Sequence, residues 1–202
     1  MNKYLRQYIE SVCKNIDIYL VMRVNKRQPK KIFMALCGDV ANVMLEWTGC
    51  TYVGQRKDSE TEEMYQKFWL SVKNFIDMLS TSKIKQSKIE KAFLQSIIYR
   101  GEVYRYLGYP SPNQRKAIEP KYKDVYVSWS KNKGNTYLLT KLYGNRTLLS
   151  CIINAPYYGM DLESFNRFYN SNSRKKKYIA KGDEKEVVFP TKKDSIYKIE
   201  II

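Results

Sequence analysis

The sequence contains no histidine among its 202 residues. Without an imidazole, the chain cannot form a Ser-His-Asp or Cys-His catalytic group, and it has neither a histidine general base nor a histidine metal ligand. Any catalysis must therefore rest on carboxylate, arginine, serine, tyrosine or lysine side chains, and we expect no metal.

Cysteine is also scarce, and no Cys-x-x-Cys spacing occurs. The four residues are Cys13, Cys37, Cys50 and Cys151, which are too few for a disulfide scaffold in a chain of this length. We expect them to be reduced and mostly buried.

Long uncharged apolar runs are absent as well. The first twenty residues, MNKYLRQYIESVCKNIDIYL, carry a charge every few positions. They match neither the apolar region of a signal peptide nor a transmembrane span. The expected location is the cytoplasm, with no membrane partner.

Acidic residues are outnumbered: Asp and Glu total 20 against 36 Lys and Arg, which gives a net charge of +16. Such a charge favours nucleic acid, an anionic membrane surface or an acidic protein as partner, although a solvated lysine-rich surface also explains it. Apolar residues make up 44% and aromatic residues 14%, which is enough buriable surface for a folded chain.

The first half of the sequence has the apolar spacing of helices, in which apolar residues recur every three or four positions. Pro29 is a candidate first residue of the second helix, and Ser59 and Glu62 stand in capping-box register at the third. The predicted helices cover residues 4–22, 29–47, 59–79 and 82–93. The stretch LQSIIYRG that follows is typical of a strand.

The second half consists of short runs of β-formers separated by polar turns. The runs are DVYVSWS, TLLSCIINAP, EKEVVFP and SIYKIEII, which predict a mainly antiparallel sheet. We therefore predict an α+β fold in one globular body, with a helical region over residues 1–95 and a sheet-rich region over residues 96–202. The polar and basic stretch FYNSNSRKKKYIAKGD is predicted to be a loop.

Two acids stand one residue apart in GDEKEVVFP, namely Glu184 and Glu186. In an extended segment these positions point to the same face, so the two carboxylates would share one space and repel each other. Such proximity tends to raise the pKa of one carboxylate, which suits a group that accepts a proton. The alternative is a solubilising acidic pair at a sheet edge.

Three features follow one another along the sheet-rich half: an arginine in IIYRG, a Ser-x-Ser in YVSWS and the Glu-x-Glu in EKEVVFP. A pyridine dinucleotide used as a substrate would need all three. Its diphosphate needs a cation and its ribose needs hydroxyls, while the positive charge that builds on the sugar when nicotinamide leaves needs an anion.

In this order the motifs resemble those of the Arg-Ser-Glu class of ADP-ribosyltransferases, the cholera-toxin-like class that includes clostridial toxins and phage enzymes. The resemblance covers about residues 90–202. It implies that residues 96–202 form the catalytic core, a mainly antiparallel split β-sandwich on which the helical N-terminal part packs. It also implies NAD as the substrate. The diphtheria-like sister class uses a histidine in its first motif, so this chain does not resemble it.

For the cofactor, the resemblance implies that Arg100 holds the NAD phosphates, with Gly101 beside it, and that Ser128 braces the nicotinamide pocket. Ser130 completes the Ser-x-Ser motif. Trp129 stands where the family usually has threonine. Its ring would either reshape the NAD pocket or point into the core.

For the chemistry, the resemblance implies that Glu186 is the catalytic glutamate and bonds the ribose 2′-hydroxyl. Glu184 would orient or deprotonate the acceptor. The loop over residues 168–183 corresponds to the acceptor-recognising turn of the family. Its implied acceptor-binding residues are Arg174, Lys175, Lys176, Lys177 and Tyr178.

The sequence therefore predicts an NAD-dependent mono-ADP-ribosyltransferase. Its basic acceptor loop favours RNA or a nucleic-acid-associated protein as target. The small size and the chemistry resemble a bacterial toxin held by a neutralising antitoxin, or a phage enzyme that acts on its host. Two alternatives stay open: an NAD glycohydrolase, and a catalytically inactive nucleic-acid-binding module in which Trp129 blocks the pocket.

Overall fold

The computed structural model describes residues 3–24, 30–52, 59–81, 83, 85–107, 125–134, 147–179, 185–192 and 195–201. The chain divides into two compact units. A helical unit comprises Met1–Ser96 and Phe165–Ile179, and a sheet unit comprises Ile97–Ser164 and Ala180–Ile202. The α+β class predicted from the sequence is confirmed.

The described residues form five helices. They are α1 (Lys3–Val24), α2 (Lys30–Tyr52), α3 (Ser59–Thr81), α4 (Lys88–Ile97) and α5 (Leu162–Asn172). The first three confirm the predicted helices, because their apolar stripes are buried: Ile9, Phe33 and Phe75 are at most 1% exposed. Pro29 and the side chain of Ser59 lie outside the described residues.

Helix α4 differs from its prediction at both ends. It begins at Lys88 because Ser87 and Glu90 form a capping box, in which the Ser87 N–H donates to Glu90 (2.7 Å) and the Glu90 N–H donates to the Ser87 hydroxyl (3.3 Å). It also includes LQSI, which the sequence had predicted as strand. Buried Leu94 and Ile97 continue the apolar face of the helix.

A buried ion pair lies in the helical unit. The Arg23 Nε donates to the Glu90 carboxylate at 2.8 Å, and the Tyr19 hydroxyl donates to the same oxygen at 3.1 Å. The Arg23 and Glu90 side chains are 3% and 0% exposed. Burial opposes ionisation of Glu90, but the hydrogen bonds from Ser87 and Arg23 outweigh it and lower the pKa of this carboxyl.

Helix α5 replaces part of the predicted loop over residues 168–183. Asp161 caps its N-terminus, because its carboxylate accepts from the Ser164 N–H at 3.0 Å. Phe165, Phe168 and Tyr169 then bury one face. Residues 168–172 are therefore helical, and the loop begins after Asn172.

The sheet unit contains a seven-stranded sheet in which every pair of neighbours is antiparallel. Its strands are β1 (Ile98–Tyr99), β2 (Gly101–Leu107), β3 (Tyr126–Ser130), β4 (Thr147–Ile153), β5 (Gly159–Asp161), β6 (Glu186–Pro190) and β7 (Ile196–Ile201). Their order across the sheet is β1-β5-β6-β3-β2-β4-β7. The sequence had indicated β1, β3, β4, β6 and β7 but neither β2 nor β5.

The sheet is curled at the junction of β1 and β2. These two strands are consecutive in the chain, yet β5, β6 and β3 stand between them in the sheet order. Gly101 forms the corner, with φ of +138°, a conformation that side chains disfavour. A Cβ at this position would also lie 2.9 Å from the Tyr99 hydroxyl oxygen.

One face of the sheet buries an apolar core. Its members are Val103, Val127, Trp129, Leu149, Cys151, Ile153, Val187, Phe189 and Ile196.

Cys37 and Cys151 are buried, and they and Cys13 are free thiols. Among the helices described here, none is long and apolar enough to cross a membrane.

Candidate functional site

The sheet order brings the three predicted motifs onto adjacent strands. Strand β3, which carries Ser128 and Ser130, lies between β2, which starts just after Arg100, and β6, which starts at Glu186. In the register, Ser130 stands opposite Glu186. Paired residues of antiparallel strands point to the same face, so the serines and Glu186 share one face.

Ser128 and Glu186 are in direct contact, because the Ser128 hydroxyl donates a hydrogen bond to the Glu186 carboxylate. Glu186 is only 5% exposed, and β6 is an inner strand between β5 and β3. A solubilising edge acid would be exposed and on an outer strand. The burial of Glu186 therefore argues against that interpretation, since burying a carboxylate costs free energy and a solubilising role requires exposure.

The residue directly before Glu186 is not extended, contrary to the expectation from the sequence. Lys185 has φ of +44°, and its carbonyl accepts from the Lys131 N–H at 3.1 Å. The alternation rule for strands cannot be carried across a residue in this conformation. The predicted shared direction of the two carboxylates is therefore unsupported, and Glu184 lies outside the described residues.

Arg100 lies at the exposed corner between β1 and β2. Its Nε donates to the Tyr157 carbonyl at 3.1 Å. This bond uses one of the five N–H donors of the guanidinium. The terminal nitrogens can therefore still make the paired contacts that phosphate oxygens accept.

The Trp129 ring points into the core, which is the second of the two alternatives that the sequence left open. It is 2% exposed in the apolar core of the sheet, opposite the face of its two neighbouring serines. Ser130 is tied to the following turn, because its hydroxyl donates to the Asn132 carbonyl (3.2 Å) and accepts from the Asn132 N–H (3.0 Å).

Lys131 is a connecting residue at the end of β3 that the sequence did not indicate. Its Nζ binds the carboxylates of Asp161 at 2.7 Å and Glu163 at 3.3 Å and lies 5.6 Å from the centre of the Tyr99 ring. Its own N–H holds the Lys185 carbonyl. One residue thus joins the end of β3 to three other parts of the sheet unit.

A second arginine, Arg105, was also missed. Strands β2 and β3 share one registered pair of described residues, Tyr104 with Ser130, and the Arg105 guanidinium supplements this short pairing by donating to the Ser128 carbonyl. The signal was present in the sequence, where a Tyr-Arg pair occurs at Arg100 and again five residues later.

A row of paired residues crosses five strands on the face of the sheet that carries Glu186. Lys198 pairs with Ser150, Ser150 with Tyr104, Tyr104 with Ser130, and Ser130 with Glu186. Neighbouring strands are about 4.8 Å apart, so Tyr104 is roughly 10 Å from Glu186 across the sheet. A ligand held at Glu186 and extending across the strands would meet the Tyr104 ring.

Tyr104 and Tyr197 share one acceptor on this face. Both hydroxyls donate to the Glu102 carboxylate, Tyr104 at 2.7 Å. The hydrogen bond from Tyr104 to Glu102 raises the pKa of Tyr104 to about 12. The two tyrosine hydroxyls hold the pKa of Glu102 below its usual value. Both tyrosines therefore stay neutral at physiological pH.

The predicted acceptor-binding residues belong to the helical unit. Four of them, Arg174, Lys175, Lys176 and Tyr178, are exposed. Lys177 is not available in the same way, because its Nζ donates to the Gly38 carbonyl at 2.7 Å and to the Asn42 side chain.

The sheet-unit residues supply a buried carboxylate, a hydroxyl that fixes it and an arginine at the neighbouring strand start. A carboxylate held in this way can stabilise positive charge, and an arginine can bind phosphate oxygens. Comparison with models of protein families, with curated proteins and with solved structures finds no match.

Proposed function

We propose that this protein is an NAD-dependent mono-ADP-ribosyltransferase whose target is RNA or a nucleic-acid-associated protein. The observation that carries the proposal is the hydrogen bond from Ser128 to the buried Glu186. It joins two motifs that are 58 positions apart in the chain. They lie on the neighbouring strands β3 and β6, and β3 is also the neighbour of β2, which follows Arg100. The face that holds them is free of Trp129, so the proposed pocket-blocking role of this ring loses support.

The proposed reaction breaks the bond between the nicotinamide nitrogen and the ribose C1′. The bonding electron pair leaves with neutral nicotinamide, and positive charge develops on the sugar. The Glu186 carboxylate stabilises this charge while Ser128 holds the carboxylate in place. A nucleophile of the acceptor then attacks C1′, and its proton passes to Glu184 or to solvent.

The remaining residues would bind the substrate. Arg100 would hold the diphosphate through its terminal nitrogens, and Ser130 would stay on the rim because its hydroxyl already bonds Asn132. A toxin with a neutralising partner, or a phage enzyme, fits an activity that modifies nucleic-acid machinery.

The test is incubation of the purified protein and total cell extract with NAD labelled in the adenylate half. We expect label on macromolecules and release of nicotinamide. Glu186→Gln should reduce both rates by about 10²–10³-fold, because the group that stabilises the transition state is lost. The matched control, Glu200→Gln, removes a carboxylate of β7 that pairs with Lys198 (2.8 Å) and should react as wild type.

Digestion of the products identifies the target. Label lost on RNase treatment indicates RNA, and label lost on protease treatment indicates protein. Free ADP-ribose without labelled macromolecules would instead establish an NAD glycohydrolase. If wild type and Glu186→Gln both leave NAD intact, the enzymatic proposal is wrong.

A further inference from the structure

The basic segment, residues 174–178, is an exposed charged feature of the helical unit. Arg174, Lys175 and Lys176 are consecutive and exposed, and none of them forms an ion pair with a carboxylate of the described residues. The Tyr178 ring beside them is 79% exposed. The Lys176 Nζ donates to the Asn170 carbonyl. Three exposed cations without a carboxylate partner among the described residues, and an open aromatic ring, stand together on one short segment.

Hydrogen bonds hold this segment in one conformation. The Asn170 side chain accepts from the Lys177 N–H at 2.8 Å and donates to the Lys177 carbonyl at 2.6 Å. The Ile179 side chain is buried, and its carbonyl accepts from the Thr48 hydroxyl at 2.9 Å. The Ser173 hydroxyl accepts a hydrogen bond from the Lys175 N–H at 3.2 Å. The segment is therefore pre-organised, which reduces the entropy cost of binding.

Lys177 anchors the segment rather than presenting charge. Its Nζ reaches the Gly38 carbonyl and lies 5.4 Å from the centre of the Tyr169 ring. Burial lowers the pKa of Lys177, with the Lys175 charge acting in the same direction and Asp39 opposing it. The binding set is thus the three exposed cations and Tyr178.

We propose that the basic segment binds single-stranded RNA, with phosphates on Arg174, Lys175 and Lys176 and a base stacked on Tyr178. Cations bind the backbone of any polyanion, but an exposed aromatic ring beside them adds a stacking surface that every base can use. An acidic protein would satisfy the cations and leave the ring unused. The net charge of +16 adds long-range attraction.

This inference goes beyond the proposed transferase activity, because binding needs no NAD. Only the use of the bound RNA as acceptor rests on the proposed function. The two can fail separately: RNA binding is measured without NAD, and nicotinamide release is measured without RNA.

The test is fluorescence anisotropy of a labelled 20-nucleotide single-stranded RNA with the full chain. The triple variant Arg174→Ser, Lys175→Ser, Lys176→Ser should weaken binding at least tenfold. It should also reduce the slope of log K against log salt by about 2, since each phosphate contact contributes about 0.7. Tyr178→Ala should weaken binding by about tenfold and Tyr178→Phe should not, because stacking needs only the ring.

The matched control is Lys83→Ser, Lys85→Ser, Lys91→Ser, which removes the same charge from three exposed lysines of the same unit. It should keep most of the affinity and salt slope. Equal losses in the two triple variants, or an unchanged Tyr178→Ala, would overturn the proposal. So would competition by polyglutamate as effective as competition by RNA, which would identify an acidic protein as the partner. Thermal melts of every variant verify that each is folded.

Discussion

At the scale of single residues, Ser128 and Ser130 have different surroundings although they flank the same tryptophan. The Ser128 hydroxyl donates to the Glu186 carboxylate, whereas the Ser130 hydroxyl bonds the backbone of Asn132. Sequence spacing alone treats the two serines as equivalent. The hydrogen bonds assign the positioning of the Glu186 carboxylate to Ser128.

Ser128→Ala should therefore lower kcat for nicotinamide release by about 10–100-fold, with a smaller change in KM. A hydrogen bond to a charged group is worth about 1.5–3 kcal/mol, and each 1.36 kcal/mol is tenfold in rate. Steady-state kinetics of nicotinamide release measures both constants. Ser130→Ala is the matched control and should change kcat less than threefold. Equal effects of the two substitutions would contradict the assignment.

At the scale of the elements, Lys131 joins β3 to its surroundings. Its side chain is 16% exposed and that of Asp161 is 7% exposed, so the pair is largely shielded from solvent. The same residue holds the backbone at Lys185, which has the left-handed conformation just before Glu186. Removing its charge would leave two carboxylates without their shared cation.

Lys131→Met should lower the free energy of unfolding by roughly 3 kcal/mol, because breaking a buried pair leaves an uncompensated charge. Urea denaturation followed by circular dichroism measures the change. Lys133→Met, two residues along, is the matched control: its pair with Glu200 is 3.4 Å long and its side chain is 53% exposed, so it should cost less than about 1 kcal/mol. A similar loss in both variants would show that Lys131 has no special role.

The elements also show how far the sequence alone could lead. Apolar spacing predicted α1, α2 and α3, because burial of one face dictates it. It missed the start of α4, although Ser87 and Glu90 are in capping-box spacing, and it missed α5, although Asp161 precedes a helical apolar pattern. Strand β2 was not predicted because its sequence, GEVYRYL, mixes charged and aromatic residues.

Part of the candidate site could not be predicted in this way. Which strands become neighbours depends on the whole sheet, so the contact of Ser128 with Glu186 is absent from local patterns. The positive φ at Lys185 is equally invisible, since a lysine gives no local reason for it. Sequence spacing also does not distinguish two neighbours of the basic segment. The Tyr178 ring is exposed, whereas the Lys177 side chain points inward to the Gly38 carbonyl.

At the scale of the whole molecule, the buried pair of Glu90 and Arg23 makes the stability of the protein depend on pH. Glu90 is fully buried against Arg23 and in the capping box with Ser87. Its pKa in the folded state lies below the ordinary value of 4.5, since its hydrogen bonds outweigh the cost of burial. Folding therefore favours the ionised form, and this stabilisation is complete only above about pH 4.5.

Glu90→Gln should lower the free energy of unfolding by roughly 3 kcal/mol at pH 7, because Arg23 is left buried without a counter-charge. The difference from wild type should stay constant down to about pH 5 and shrink as the pH falls through the folded pKa, since wild-type Glu90 is then protonated too. Urea denaturation at pH 7, 5, 4 and 3 measures this difference. Glu46→Gln, at an exposed position of α2, should show almost no difference at any pH. A Glu90→Gln deficit that is the same at pH 3 and pH 7, or that grows on acidification, would mean that the ionised carboxylate is not what stabilises the fold.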